Sequence, residues 1–102
     1  TYPAGPTICE GLAGGFGRVP FEIAAHLIDE IVVVPEQDVR QAVGWLCTQE
    51  QMIVEGSGAI AIAPLLNRSM DVANARVVAV LTGRNLDPAL LQEILAEQRE
   101  RP

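Results

Sequence analysis

The stretch Val77-Val-Ala-Val-Leu-Thr-Gly-Arg-Asn-Leu-Asp-Pro-Ala-Leu-Leu91 joins two patterns without a break. Val77–Leu81 is apolar throughout and rich in β-branched residues. Such a run, apolar on both faces, is expected of a strand buried inside a parallel sheet. A polar turn follows, Thr82-Gly83-Arg84-Asn85. Asp87 then suits an N-cap and Pro88 a first helical position. Leu90, Leu91, Ile94 and Leu95 fall on one face, the buried side of a last helix. Strand, turn and helix in this order predict an α/β fold with helical crossovers.

Working outward, Ile31–Val34 is a second continuous β-branched run, ended by Pro35. It predicts the neighbouring strand. Pro35-Glu-Gln-Asp opens a helix whose acidic first turn suits the positive end of the helix dipole. Val39, Ala42, Val43, Leu46 and Cys47 form one apolar stripe, and the helix should end near Gln51. Met52–Val54 reads as a short link. A second, Ala-rich helix is expected from about Ser57 to Asn67, with Pro64 kinking it or shifting its start. Residues 68–75 read as a polar connection. Upstream, residues 1–20 are a Gly- and Pro-rich loop, with a short helical turn around Ile8–Leu12 and a short helix over Phe21–Leu27 after Pro20. The charged tail Glu97–Pro102 should fray. The expected architecture is helix, strand, helix, helix, strand, helix: a fragment of a three-layer α/β parallel-sheet domain, with residues 1–102 as a single segment. Two strands make a thin sheet for this much apolar surface. Neighbours are expected, from a larger chain or from a partner subunit.

Composition narrows the function. The 102 residues are 49% hydrophobic, with net charge −6 and mean hydropathy +0.24. An acidic domain has no broad footprint for nucleic acid or an anionic membrane surface. No apolar run approaches the roughly 18 residues of a membrane span, and the first residues do not read as a secretory signal. Cys9 and Cys47 lack metal-ligand or redox spacing and read as buried, reduced thiols of a cytoplasmic protein. No metal site is expected. All seven basic residues are arginines. Without lysine the chain forms no Schiff base, holds no P-loop lysine and has no lysine base. The chain starts without methionine, as though cut from something longer.

Each candidate site has a plain alternative. In open α/β sheets, ligands bind beyond the carboxyl ends of strands, and Thr82-Gly83-Arg84-Asn85 is at such an end. Thr82 offers a hydroxyl, and Gly83 permits close backbone approach. The same residues also suit an ordinary strand-to-helix turn. Gly11-Leu-Ala-Gly-Gly-Phe-Gly17 fails both the dinucleotide and the P-loop patterns and suits a surface loop. Glu55 either caps the following helix or lines a pocket. His26, on a mostly apolar helix, reads as a partly buried structural histidine. Glu10 beside Cys9 raises rather than lowers a thiol pKa, which disfavours an activated thiol.

Three segments, taken in order, carry a resemblance: Thr7-Ile-Cys-Glu-Gly-Leu-Ala-Gly-Gly-Phe-Gly17, Ile53-Val-Glu-Gly-Ser-Gly-Ala59 and Val80-Leu-Thr-Gly-Arg-Asn-Leu-Asp-Pro88. From about Thr7 to Leu95 the chain resembles the C-terminal part of the catalytic domain of threonine and serine dehydratases. These belong to the tryptophan-synthase-like, fold-type II class of pyridoxal-phosphate enzymes, with serine racemases and cysteine synthases. The resemblance implies that Thr82 hydrogen-bonds the pyridine nitrogen of pyridoxal phosphate, and that Gly83 and Asn85 shape the turn that clamps the ring. It places Glu55 near the cofactor and lets the backbone at Gly11 pass close to it. Glu10 stands where the family usually has Asp and faces the substrate. Arg84 stands where many dehydratases have a second Gly. These two departures leave the substrate open.

The implied activity is removal of water and then ammonia from a β-hydroxy amino acid such as threonine or serine, giving a 2-oxo acid. The lysine, the loop that grips the substrate carboxylate and the phosphate cradle lie upstream in such enzymes. No catalytic residue is therefore expected in this chain. Alone it should be inactive, and its expected partners are the N-terminal remainder of the enzyme, a small amino acid and further copies in a homo-oligomer. The alternatives are racemisation or β-replacement on the same fold, or a non-catalytic module that pairs through its apolar faces.

Overall fold

The structure, a computed structural model, describes residues 5–100. The ends of the expected loop and tail, 1–4 and 101–102, lie outside the described residues. A 3-10 turn spans Glu10–Leu12. It is followed by α1 (Arg18–Leu27), α2 (Glu36–Glu50), α3 (Gly56–Ala59), α4 (Ala63–Leu66) and α5 (Pro88–Arg99). Among the described residues no helix is long and apolar enough to cross a membrane.

Helix α2 organises the core. Val39, Ala42, Val43 and Leu46 of the expected stripe are buried, and Cys47 is half-buried at its edge. Opposite them lie Val54, Ala59, Ala63 and Ile94, so α2 packs against α3, α4 and α5. Gln51 ends α2 in the left-handed conformation, and Met52 N–H donates back to the Leu46 carbonyl at 2.9 Å. That contact satisfies one of the carbonyls a helix end leaves open. The Ala-rich helix expected over 57–67 is two short helices. Pro64 sits in the first turn of α4, where its missing N–H costs nothing. The proline therefore shifts a start rather than kinking a continuous helix.

Helix α5 starts as its sequence predicts: the Asp87 carboxylate accepts from Ala89 N–H at 2.8 Å, with Pro88 following. Over Glu97–Arg99 its end corrects the expectation of a fraying tail. The Arg40 guanidinium grips Glu97 in a fork, Nη2 to Oε1 at 2.7 Å and Nε at 3.1 Å, and its Nη2 lies 3.1 Å from Glu93. The helix therefore stays regular to Arg99. Two parallel charge-assisted bonds from α2 fix its last turn.

The expected sheet is not formed: no strand occurs among the described residues. Ile31–Val34 and Val77–Leu81 carry neither helix nor ladder. Val33 is 89% exposed and Val78 92% exposed, although both were expected to be buried. Only Val34 and Leu81 reach the core, from its edge. A strand is stable only when its N–H and C=O groups are paired and its side chains covered, and no neighbouring run among the described residues supplies either. Helix α1 shares this condition. It begins at Arg18, ahead of the expected Phe21, and its Val19, Phe21, Ile23 and Leu27 are exposed. His26 is exposed on the same helix, which corrects its reading as a partly buried residue.

Candidate functional site

The three motif segments, far apart in sequence, meet at one end of the α2–α3 core. Glu55 N–H donates to the Gly83 carbonyl at 3.2 Å. Gly11 N–H donates to Ser57 Oγ at 2.9 Å. Gly58 lies with its α-carbon against the backbone of Thr82, and a Cβ there would fall inside the Thr82 carbonyl. This position tolerates glycine only, because backbone cannot swing aside as a side-chain tip can. Gly83 adopts φ +70°, the left-handed region, and the Glu55 carboxylate occupies the space its side chain would fill. The turn is thus held by backbone against backbone, with one carboxylate laid across its glycine.

A polar cleft of about 410 Å³ opens beside this junction, lined among others by Glu10, Glu55, Asn85 and Asp87. The expected site residues divide accordingly. Glu10, Glu55 and Asn85 line the cleft together. Gly83 underlies Glu55, and Gly11 is tied to α3. Thr82 is exposed on the turn with its backbone against Gly58, and is not part of the cleft wall. Arg84 is exposed, and its carbonyl accepts from Leu86 N–H at 2.8 Å, tightening the turn before α5.

Ser57, Gly58, Thr7 and Glu36 belong to the same junction, beyond the site residues that the sequence points to. Thr7 Oγ1 donates to Glu36 Oε1, and Ile8 N–H donates to Glu36 Oε2 at 3.2 Å. Glu36 reads in the sequence only as a favourable first-turn acid; nothing local reveals that it reaches back to residue 7. Cys9 is buried here. Burial pushes its thiol above the ordinary value, the Glu36 charge adds to this, and a hydrogen bond with Thr7 opposes it. The carboxylate acting on the thiol is therefore Glu36, not the adjacent Glu10. Neither cysteine is in a disulfide.

The family described as "Pyridoxal-phosphate dependent enzyme" matches residues 1–83. The chain belongs to the pyridoxal-phosphate-dependent enzymes. Its relatives include the L-threonine ammonia-lyase of Thermotoga maritima, 33% identical over 88% of this chain and 22% of the relative. The L-threonine ammonia-lyase of Geobacter sulfurreducens is 36% identical over 83% of this chain and 21% of its own length. The catabolic L-threonine dehydratase of Escherichia coli is 32% identical over 76% of this chain and 24% of its own. The chain thus spans about a quarter or less of the length of these relatives. Pyridoxal phosphate is the cofactor of the family, and the junction fits one edge of it. A neutral hydroxyl stands exposed on a turn that glycines bring close to backbone. With no lysine among the 102 residues, nothing here fits the aldehyde end.

Proposed function

We propose that the junction is one wall of the cofactor and substrate site of an ammonia-lyase, a dehydratase acting on a β-hydroxy amino acid such as threonine or serine. The observation that carries this reading is the convergence itself: Glu55 N–H on the Gly83 carbonyl, Gly58 against Thr82, and Gly11 N–H on Ser57. The relatives' names support the same chemistry.

Pyridoxal phosphate, when bound, supplies an electron sink for the pair left on the amino acid's α-carbon. The chain's own residues position it. Thr82, exposed on the turn, would offer its hydroxyl to the ring nitrogen. A hydroxyl, unlike a carboxylate, does not hold that nitrogen protonated, so the sink stays moderate. That suits elimination, where the leaving group departs as the α-proton is lost and no long-lived carbanion is needed. Gly83, with the Glu55 carboxylate laid over it, would let the turn approach the ring closely. Asn85 completes the turn and Gly11 lets the backbone pass close. Glu10, on the cleft wall, would face the substrate; Glu10 and Arg84 are the two positions that depart from the usual dehydratase residues. Proton removal at the α-carbon falls to a lysine outside these residues, so the chain alone is inactive. The exposed faces of α1 and of the two β-branched runs are covered by the lysine-bearing remainder of the enzyme, within a homo-oligomer.

The test is made in the intact enzyme. Thr82→Ala is expected to lower kcat for release of 2-oxo acid about tenfold, the loss of one well-placed hydrogen bond, and to shift the cofactor absorbance. Thr82→Ser should retain both. A wild-type enzyme that yields a D-amino acid or a β-substituted product, and no 2-oxo acid, would move the assignment to racemisation or β-replacement.

A further inference from the structure

The Thr7–Gly11 segment is tied at both ends by side chains that the mechanism above does not use. At its start, the Glu36 carboxylate takes a hydroxyl from Thr7 and an N–H from Ile8 at 3.2 Å. Thr7 Oγ1 in turn accepts from Cys9 N–H at 3.0 Å. One carboxylate fork thus holds two consecutive residues, and a hydroxyl passes the hold to a third. At the far end Gly11 N–H is fixed by Ser57 Oγ at 2.9 Å. Between the ties sits Glu10, on the cleft wall it shares with Glu55 and Asn85. Up to Cys9 the segment has neither helix nor strand to stiffen it. Its place relative to the cleft is therefore set by what grips it. Glu36 is a firm anchor, because it lies in the first turn of α2, the longest helix and the one at the core.

We propose that Glu36, acting through Thr7, is a positioning residue for Glu10. It sets the width of the cleft between Glu10 and the Glu55–Asn85 side, and through that the affinity for the amino-acid substrate. This rests on the reading of the cleft as the substrate side of an ammonia-lyase site. The chemistry of the tie is specific. Two donors arrive at two carboxylate oxygens; glutamine offers one acceptor and one donor, and so mismatches one of them. Valine keeps the shape of Thr7 and deletes the hydroxyl.

The experiment compares Thr7→Val, Thr7→Ser and Glu36→Gln in the intact enzyme. Thr7→Val and Glu36→Gln should each raise KM about five- to tenfold with kcat within about twofold, the signature of lost uniform binding. Thr7→Ser should restore KM. Amide exchange at Ile8 and Cys9 should quicken in the two disruptive variants and not in Thr7→Ser. In a Glu10→Ala background, Thr7→Val should add nothing further, because the tie acts through Glu10. If Glu36→Gln does not fold, Thr7→Val against Thr7→Ser decides. An unchanged KM, or an effect that persists in full without Glu10, overturns the proposal and leaves the ties as ordinary stabilising contacts. A wild-type enzyme releasing no 2-oxo acid from threonine or serine sinks the ammonia-lyase reading itself, and this proposal with it, before any variant is compared.

Discussion

Two regions of this molecule are built from the same residue types and end in opposite conditions. Around α2 and α5, valine, leucine and isoleucine are closed off from solvent; Ile94 is 1% exposed. In α1 and the runs Ile31–Val34 and Val77–Leu81, equally apolar side chains face outward. Hydrophobicity alone does not separate them. The first region has a second helix to pack on, joined by an ion pair. The second has faces that none of the described residues covers. Exposed apolar surface of this extent marks a face that another surface covers.

The widest test of the contrast is a matched pair of truncations. Ile94→Ala should cost about 3–4 kcal/mol in urea denaturation, the usual range for emptying a tightly packed site. Val78→Ala should stay within about 0.5 kcal/mol in this chain. A comparable loss at Val78 would mean that the second region is covered in solution after all.

Next in size is the clasp that closes the packed region. Arg40→Ala should cost about 1–2 kcal/mol. The fork on Glu97 is bidentate, but Glu97 keeps a third of its side-chain exposure and Glu93 more, so solvent screens part of it. Arg40→Lys should recover less than half, since an ammonium cannot match the fork. The loss should shrink in high salt, measured by the same denaturation curves.

The packed region was largely legible in the sequence, and the reason is local. The stripe Val39–Cys47, the Asp87 cap and the Pro64 start each depend on residues within a turn or two of one another. The candidate turn at Thr82 was legible too, because a polar knot after an apolar run marks an element boundary. What could not be read depends on distant partners. Whether Val77–Leu81 lies in a sheet is decided by strands beside it, not by its own side chains. The hold of Arg40 on Glu97, and of Glu36 on Thr7, joins residues separated by whole elements. His26 shows the same limit, since an apolar neighbourhood in sequence did not give it a buried one in space.

A smaller effect probes the entrance to α5. Asp87→Ala should cost about 1 kcal/mol, the ordinary worth of an N-cap, with Asp87→Asn close to wild type. Because Asp87 also lines the cleft, a larger loss of substrate affinity than of stability would extend the site toward α5.

The smallest effect lies at the seam between the regions, at Cys9. Its thiol is raised above the ordinary value of 9.0, chiefly by burial. The folded chain therefore keeps a proton that the unfolded chain gives up. Its contribution to stability is whole below the ordinary thiol value and is lost as pH rises through the raised one. Denaturation curves from pH 7 to 10 should show a decline that Cys9→Ala removes, and alkylation of Cys9 should await opening of the seam.

The Arg40–Glu97 clasp also bears on when the protein can fold. It closes the loop between α2 and α5, and the core it seals needs Ile94 from α5. Closing a loop of this length is entropically costly and slow relative to local helix formation. On the ribosome, α2 emerges before α5 and waits without its partner until α5 follows. The turn at Thr82–Asn85 lies inside the same loop. The packing of the core and the assembly of the candidate site are therefore a single event, timed by the arrival of α5.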